Sequence, residues 1–388
     1  MKKVQLNEVC VPDGIQTGPF GSQLHQSDYS EEGIPVIMPV NLIDGGISEQ
    51  NMARVSEDHV DRLSKYKVAE GDIVYARRGD VGRCSRVTEN ESGWLCGTGC
   101  LRITPDNKAI DGQYLFYLLS LPSVVGWVRN NAKGTTMPNL NTEILSSVPL
   151  NIEPDVSKQK KLAGVLSTYD SLIENNRKQI KLFEEAAQRL YKEWFIDLRF
   201  PGHETTAIDS ETGLPEGWSR ILLGEYTEFR RGKVITEKQT SFGIVPVVAG
   251  GLGPAYYHDT PNTTAPVITI SGSGANAGFT RLYNEDIWAS DCSFVDSSNC
   301  EAVYFVFETV LLLGNGFKHL QRGSAQPHVY PKNINELNIV MPSEEILDNY
   351  EGYASCLFLK IRALEKQITL AKEARNRLIP NLMEACND

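Results

Sequence analysis

Apolar and aromatic residues at Leu162, Leu166, Tyr169, Ile173, Ile180, Phe183, Leu190 and Trp194 keep an unbroken 4-3-4-3 spacing, with Asn176 and Ala187 in the remaining places. Heptad spacing puts one narrow seam along a helix and requires another helix against it. From Ser157 to Phe195 such a helix would be ~58 Å long, more than the width of a small domain. A rod of that length in mid-chain constrains everything around it. What precedes and follows must be held apart, and the seam must find a partner.

The partner is in the same chain. Ile173–Leu190 (IENNRKQIKLFEEAAQRL) matches Ile361–Leu378 (IRALEKQITLAKEARNRL) at a constant shift of 188. The matches include surface positions such as Lys178/Lys366, Glu185/Glu373 and Arg189/Arg377. A shared heptad alone explains apolar matches only, so the chain is a duplication. The second seam runs through Leu357, Ile361, Leu364, Ile368, Leu378 and Leu382. Two rods joined by a globular segment within one chain pack antiparallel. Asn176 then occupies a seam position where a polar group fixes register at some cost in stability. The second rod is expected from Ser343 to Ile379, closing near Pro380, since proline does not continue a helix interior.

The segments before each rod repeat more loosely. Val4-Gln-Leu-Asn-Glu resembles Ile221-Leu-Leu-Gly-Glu, and Gly33-Ile-Pro-Val-Ile faces Gly243-Ile-Val-Pro-Val-Val. Asp72-Ile-Val-Tyr-Ala leads into Arg77-Arg-Gly-Asp-Val-Gly as Pro266-Val-Ile-Thr-Ile leads into Ser271-Gly-Ser-Gly-Ala-Asn, and Trp94 and Trp288 open the next strand. Gly134-Thr-Thr-Met-Pro pairs with Gly323-Ser-Ala-Gln-Pro just before each rod. The reading is an α+β chain in four parts. Residues 1–150 form a β-rich domain with one helical stretch (Gln113–Val128), and 151–200 the central helix. Residues 201–342 form a turn-rich linker and a second β-rich domain, and 343–388 the C-terminal helix.

Composition narrows the function by exclusion. No apolar run reaches the ~20 residues of a membrane span, and the start lacks the apolar core of a secretory signal. The eight cysteines are scattered and form no C-x-x-C, so zinc is not expected, and free thiols fit a reducing cytoplasm. The net charge is −11, and residues 1–150 carry 14 basic against 18 acidic side chains. Any nucleic-acid site must therefore be a local patch, or a groove completed by a partner. Catalytic patterns are missing. Arg231-Gly232-Lys233 lacks the rest of a phosphate loop, and no paired histidines or G-x-S-x-G elbow occur. Gly272-Ser-Gly-Ala-Asn-Ala277 fits G-x-G-x-x-A. The following Gly278-Phe-Thr-Arg-Leu-Tyr, however, alternates like a strand where a dinucleotide site needs a helix. A β-hairpin over 266–284 is expected there, and a nucleotide-cofactor enzyme is the alternative it would exclude.

Basic clusters sit on loops. Arg77, Arg78, Arg83 and Arg86 surround a Gly79/Gly82 turn, where guanidinium groups suit phosphate or the acceptor edge of guanine; solvated charges on a hairpin tip are the bland alternative. Lys133-Gly-Thr135-Thr136, and Lys318 with Arg322-Gly-Ser324 and Gln326, combine cations, hydroxyls and glycine in a manner suited to phosphate. Arg230-Arg231-Gly232-Lys233 forms a further patch with no clear twin. The loop Gln16-Thr17-Gly-Pro-Phe-Gly-Ser22-Gln23-Leu-His25 carries amides and hydroxyls that read base edges or merely close a turn.

Several ordered motifs carry a family likeness: Thr17-Gly-Pro-Phe-Gly-Ser-Gln-Leu, Gly33-Ile-Pro-Val-Ile, the Asp72–Gly82 strand and turn, Gly134-Thr-Thr-Met-Pro-Asn-Leu with Val148-Pro-Leu, and Leu190-Tyr-Lys-Glu-Trp-Phe. The set, occurring largely in duplicate, resembles the DNA-specificity subunit of Type I restriction–modification systems across nearly the whole chain. The resemblance implies two target-recognition domains, each reading one half of a bipartite double-stranded DNA target. The helices would space the halves and dock two methyltransferase subunits. Those subunits would carry S-adenosylmethionine, with no cofactor in this chain, and separate translocase/nuclease subunits would complete restriction. The second copy lacks the arginines of the first turn, which moves base contacts there to Arg230, Lys233, Lys318, Arg322 and Gln326. Domains of unequal length imply an asymmetric target. A coiled-coil scaffold that reads no DNA is the remaining alternative.

Overall fold

A computed structural model describes residues 1–44, 46–134, 139–314 and 328–384. The chain divides into two compact units. One comprises Met1–Arg177 together with the segment from Lys366 onward, and the other comprises Lys178–Glu365. Each unit therefore holds one β-rich domain and a half of both long helices.

In the first unit, Cys10–Thr17, Cys100–Pro105, Ile73–Ala76 and Cys84–Arg86 form a four-stranded antiparallel sheet in that order. The second unit repeats the order with Arg230–Arg231, Cys292–Asp296, Val267–Ser271 and Thr280–Tyr283. Each unit also has a second sheet, of four strands in the first and three in the second, containing one parallel pair, Ile34–Ile37 with Leu95–Cys96 and Val245–Val248 with Trp288–Ala289. Lys2–Gln5 and Ser219–Leu222 pair with the strands that precede the long helices, Pro149–Ile152 and Asn338–Met341. The repeat read from sequence is thus a repeat of topology.

The structure shifts its register. Leu140 N–H donates to the Arg77 carbonyl at 3.0 Å, and Val329 N–H to that of Gly272 at 3.1 Å. Arg77 therefore corresponds to Gly272 rather than to Ser271. A slip of one residue would exchange the two faces of the strand. Ile73 and Tyr75 match Ile268 and Ile270, and all four point into the core shared with the helices.

The first long helix runs Val156–Tyr191 and ends in one wider turn, Lys192–Ile196, closed by Asp197 N–H onto the Lys192 carbonyl at 2.9 Å. The second runs Glu344–Glu384 and contains Pro380, which corrects the expected stop at that residue. Losing one helical bond to proline costs about 3 kcal/mol. Ile379 and Met383, buried against the first domain's core, offset that cost. The single stretch expected over Gln113–Val128 is two helices, Gly112–Leu119 and Pro122–Asn131, because Pro122 starts a new helix.

In both units the helix halves run antiparallel. Asn176 lies against Gln367 and Asp170 against Arg375 in the first unit, and Trp194 lies against Tyr350 in the second. Every seam residue named from sequence is buried or half-buried. Asn176 is 2% exposed and donates from Nδ2 to Gln367 Oε1 at 3.1 Å, the polar register contact its position implied.

Candidate nucleic-acid interface

In the first unit the candidate interface is built on the turn between Ile73–Ala76 and Cys84–Arg86. Gly79 and Gly82 adopt positive φ of 75° and 111°, a conformation that side chains bearing Cβ rarely take. The turn is clamped from two sides. Arg77 N–H donates to the Gly99 carbonyl at 2.9 Å, while Asn139 forms a bridge to Arg78 and exchanges backbone hydrogen bonds of 3.1 and 2.8 Å with Lys133. Arg77 Nε also donates to Asn139 Oδ1 at 3.1 Å, and its guanidinium lies 5.6 Å over the Phe20 ring. Three clusters that are separate in sequence therefore meet: the Gln16–His25 loop, the arginine turn and the Lys133 loop.

Within this assembly the cations divide into two groups. Arg83 donates to Asp80 at 2.7 and 3.0 Å and to the Leu42 carbonyl at 3.2 Å; Arg129 reaches Asp80 at 2.9 Å. Partial burial would raise the Asp80 carboxyl, but these two guanidinium groups outweigh it and hold its pKa below the usual range. Arg83 thus braces the turn. Arg78 and Lys133 are exposed, and their side chains have no internal partner among the described residues. Arg77 lies between these extremes, oriented by Asn139 and Phe20, and its Nη groups have no hydrogen-bond partner among the described residues.

The amides of the first loop are largely committed. Gln16 donates to the Asp13 carbonyl at 3.0 Å and accepts from Arg102 at 3.1 Å. Gln23 accepts from Tyr66 Oη at 2.7 Å. Ser22 is exposed and Thr17 half-buried. Phe20, 52% exposed, is the prominent side chain of this loop. Thr135 and Thr136 lie outside the described residues.

The second unit repeats the platform with other side chains. Gly18 N–H donates to the Cys100 carbonyl at 3.0 Å, and Gly232 N–H to that of Cys292 at 2.8 Å. A Cβ on either glycine would stand 1.9 or 2.2 Å from the carbonyl oxygen of Gly97 or Ser290, so only glycine fits. Arg230-Arg231 therefore does have a twin, Gln16-Thr17. Ser273, on the turn corresponding to Arg78, forms a bridge to His328 as Arg78 does to Asn139. Ser273 also donates to Asp291 at 3.0 Å, and Asp291 pairs with Arg231. Arg230 donates to Asn299 at 3.2 Å and lies over Phe294. Lys233 is exposed beside Trp288, with 5.8 Å between Nζ and the ring. Lys318, Arg322, Ser324 and Gln326 lie outside the described residues.

Sequence reasoning missed Asn139, His328, Asp291 and the role of Phe20. A signal existed for the first pair, because each is the polar residue next after the repeated Gly-x-x-x-Pro stretch. The turn at Gly272–Ala277 is the middle of a hairpin, with Val267–Ile270 paired to Thr280–Tyr283. No helix follows, and the nucleotide-enzyme reading fails there.

Residues 1–184 match the model of the Type I restriction modification DNA specificity domain. The MjaIX specificity subunit of a Type I restriction enzyme from Methanocaldococcus jannaschii is 24% identical over 85% of this chain and 80% of its own. A putative type I specificity subunit from Mycoplasma genitalium is 27% identical over 78% of each chain. The chain is thus similar, in its first half and beyond it, to the Type I restriction–modification specificity subunits. The fold agrees with the crystal structure of an S subunit from M. genitalium, with TM-score 0.56 and 17% identity over 98% of this chain and 96% of that one. A specificity subunit is a DNA-recognition component of its complex and not the catalytic one. No helix among the described residues is long and apolar enough to cross a membrane.

Proposed function

We propose that this chain is a specificity subunit that reads a bipartite, asymmetric double-stranded DNA target. Its recognition domains would occupy 1–150 and 201–342, each contributing one half-site reader. The duplicated platform carries this reading: one backbone framework presents Arg77, Arg78 and Lys133 in one copy, and Arg230, Arg231 and Lys233 in the other. Different side chains on the same frame favour different half-sites. Open cations such as Arg78 and Lys133 suit phosphates, which position a domain, and the oriented fork of Arg77 suits the acceptor edge of guanine.

The helices, with 151–200 and 343–388 as spacer segments, would dock two methyltransferase subunits that bring S-adenosylmethionine and further positive charge. Leu172, Leu182, Leu359 and Leu370, exposed on the helix surfaces, support a docking role. Translocase/nuclease subunits would join the same assembly. This division of labour accommodates a chain of net charge −11 on DNA. The test is to purify the chain with its methyltransferase partner and map adenine methylation on a random DNA library. A two-part motif with a fixed gap is expected. Methylation without such a motif would overturn the proposal in favour of a scaffold that reads no DNA.

A further inference from the structure

Arg375 is the most deeply buried cation of the helix pair, with its side chain only 5% exposed. Its guanidinium joins three elements that are remote in sequence. It donates to Asp170 of the first long helix at 2.6 Å, to Asn376 of its own helix at 3.0 Å, and to Asp44 of the hairpin formed by Leu42–Ile43 and Gly46–Ile47. Asp44 is held twice more, by Lys372 Nζ at 3.4 Å and through its carbonyl by Arg177 at 2.9 Å. Tyr117, from the domain's buried helix, donates to Asp170 as well.

The other side of that hairpin touches the DNA-reading turn. Ser85 Oγ lies 2.7 Å from the Gly46 carbonyl and 3.3 Å from that of Ile43, and Arg83 donates to Leu42. A continuous path thus runs from the helix pair through Asp44 and its hairpin to Ser85 on the strand Cys84–Arg86 and to Arg83 in the turn before it. Hydrogen bonds to a fixed guanidinium fork are directional, so this path specifies an angle, which apolar packing alone specifies less sharply. At the shift of 188 that relates the helices, Arg375 corresponds to Ala187, Lys372 to Glu184 and Asp170 to Phe358. At these three positions the second copy thus carries no cation and no carboxylate in place of Asp170.

We propose that Arg375 is a positioning residue that fixes the angle at which the first recognition domain stands on the helix pair, and thereby the tolerated length of the gap between half-sites. This rests on the bipartite reading proposed above. Arg375 touches no DNA in this scheme; it acts through Asp44 and the hairpin. The experiment uses the full chain with its methyltransferase partner on DNA libraries in which the gap is lengthened or shortened by one base pair. In R375M, preference for the native gap should fall about tenfold, the change that ~1.4 kcal/mol of discrimination represents, while the bases preferred within each half-site stay the same. D44N, which leaves the Asp170–Arg375 pair between helices intact, should relax the gap in the same direction and guards against a folding defect in R375M. If the parent chain gives no two-part motif, the DNA-reading proposal itself fails. If the parent shows a fixed gap and both variants keep it, only the role of Arg375 is overturned. Equal loss of base and gap preference in D44N would likewise overturn it, in favour of a merely structural residue.

Discussion

The two β-rich domains share a sheet order but are joined to their helix halves by different chemistry. In the first unit the junction adds to the buried Ile379 and Met383 an ionic cluster, with Arg375, Lys372 and Arg177 around Asp44 and Asp170. In the second it is aromatic: Phe195 lies 4.9 Å from both Phe305 and Tyr350, Trp194 lies 5.9 Å from Tyr350, and Tyr304 stacks on Phe358 at 4.7 Å. A duplicated backbone evidently constrains where the contact is made and leaves open what makes it. The ionic junction depends on direction and on protonation of carboxylates. The aromatic one depends on filled volume, and it encloses carboxyl groups that resist ionisation.

The largest effect should come from emptying the aromatic junction. Trp194, 6% exposed, packs on Phe195, Tyr350 and Tyr353. Trp194→Ala should cost about 3–5 kcal/mol. Hydrogen exchange on the full chain should show faster opening of 303–314 and 344–358 while 112–119 stays protected. Uniform loss across both units would break the contrast between the junctions.

The next effect is of opposite sign in the two units. Burial pushes Glu308 up to about 8, with Glu184 adding to it, and burial pushes Glu351 up to about 7 despite the Tyr304 and Phe305 N–H groups it accepts. A carboxyl with a raised folded pKa favours the protonated native state. Its stabilisation is complete below the unfolded value near 4.5 and is lost as pH rises through about 8. In the first unit burial raises the Asp44 carboxyl, but Arg375 and Lys372 outweigh this and lower it. Its contribution is present above the unfolded value near 3.8 and is lost only as pH falls through the lower folded one. Raising pH from 5.5 to 8 should therefore weaken the second unit by a few kcal/mol, on the order of one to two pKa units of linkage per carboxyl, and leave the first unchanged. Glu308→Gln should remove much of that slope when exchange of 303–314 is followed against pH; an unchanged slope would exclude Glu308 as its source.

The two proposed reading faces invite a smaller, more specific comparison. Arg77→Ala with Arg78→Ala should relax base preference in one half-site by roughly 1–3 kcal/mol per lost bidentate contact. Arg231→Ala with Lys233→Ala should affect the other half only. Methylation sequencing reads both. Equal losses at both halves in either double variant would mean that the platforms do not act as separate readers.

The helices were legible because a sustained 4-3 spacing of apolar residues suits a paired helix and little else, and their duplication because surface residues matched as well as apolar ones. The ionic junction was not. Arg375 reads as an ordinary helix cation, and its partner Asp44 is 331 residues away. The one-residue error in strand register has a physical source too. Val267–Ser271 is buried on both faces, so the run carries no apolar–polar alternation by which to choose between neighbouring alignments. The twin of Arg230-Arg231 was hidden because Gln16-Thr17 shares none of its side chains. Only the following glycine, pressed against a carbonyl in both copies, marks the equivalence. The site is thus a framework recorded in glycines and strand ends, carrying side chains that differ between copies.

The smallest expected effect tests the seam itself. Asn176 is buried at a position whose repeat counterpart, at the shift of 188, is Leu364, also buried at 3% exposure. One copy of the duplication therefore uses an amide where the other uses a leucine. Asn176→Leu would replace a buried amide by apolar volume, and Gln367, which lies exposed, would return its carbonyl to water. A buried polar seam residue generally costs stability while fixing register, so this variant should gain up to about 1 kcal/mol in urea unfolding of the full chain. Its helix pairing should become less exact, seen as faster exchange near 170 and 375, where the Asp170–Arg375 contact depends on the same register. A loss of stability in place of a gain would mean that the Asn176–Gln367 contact contributes to holding the helices together as well as aligning them.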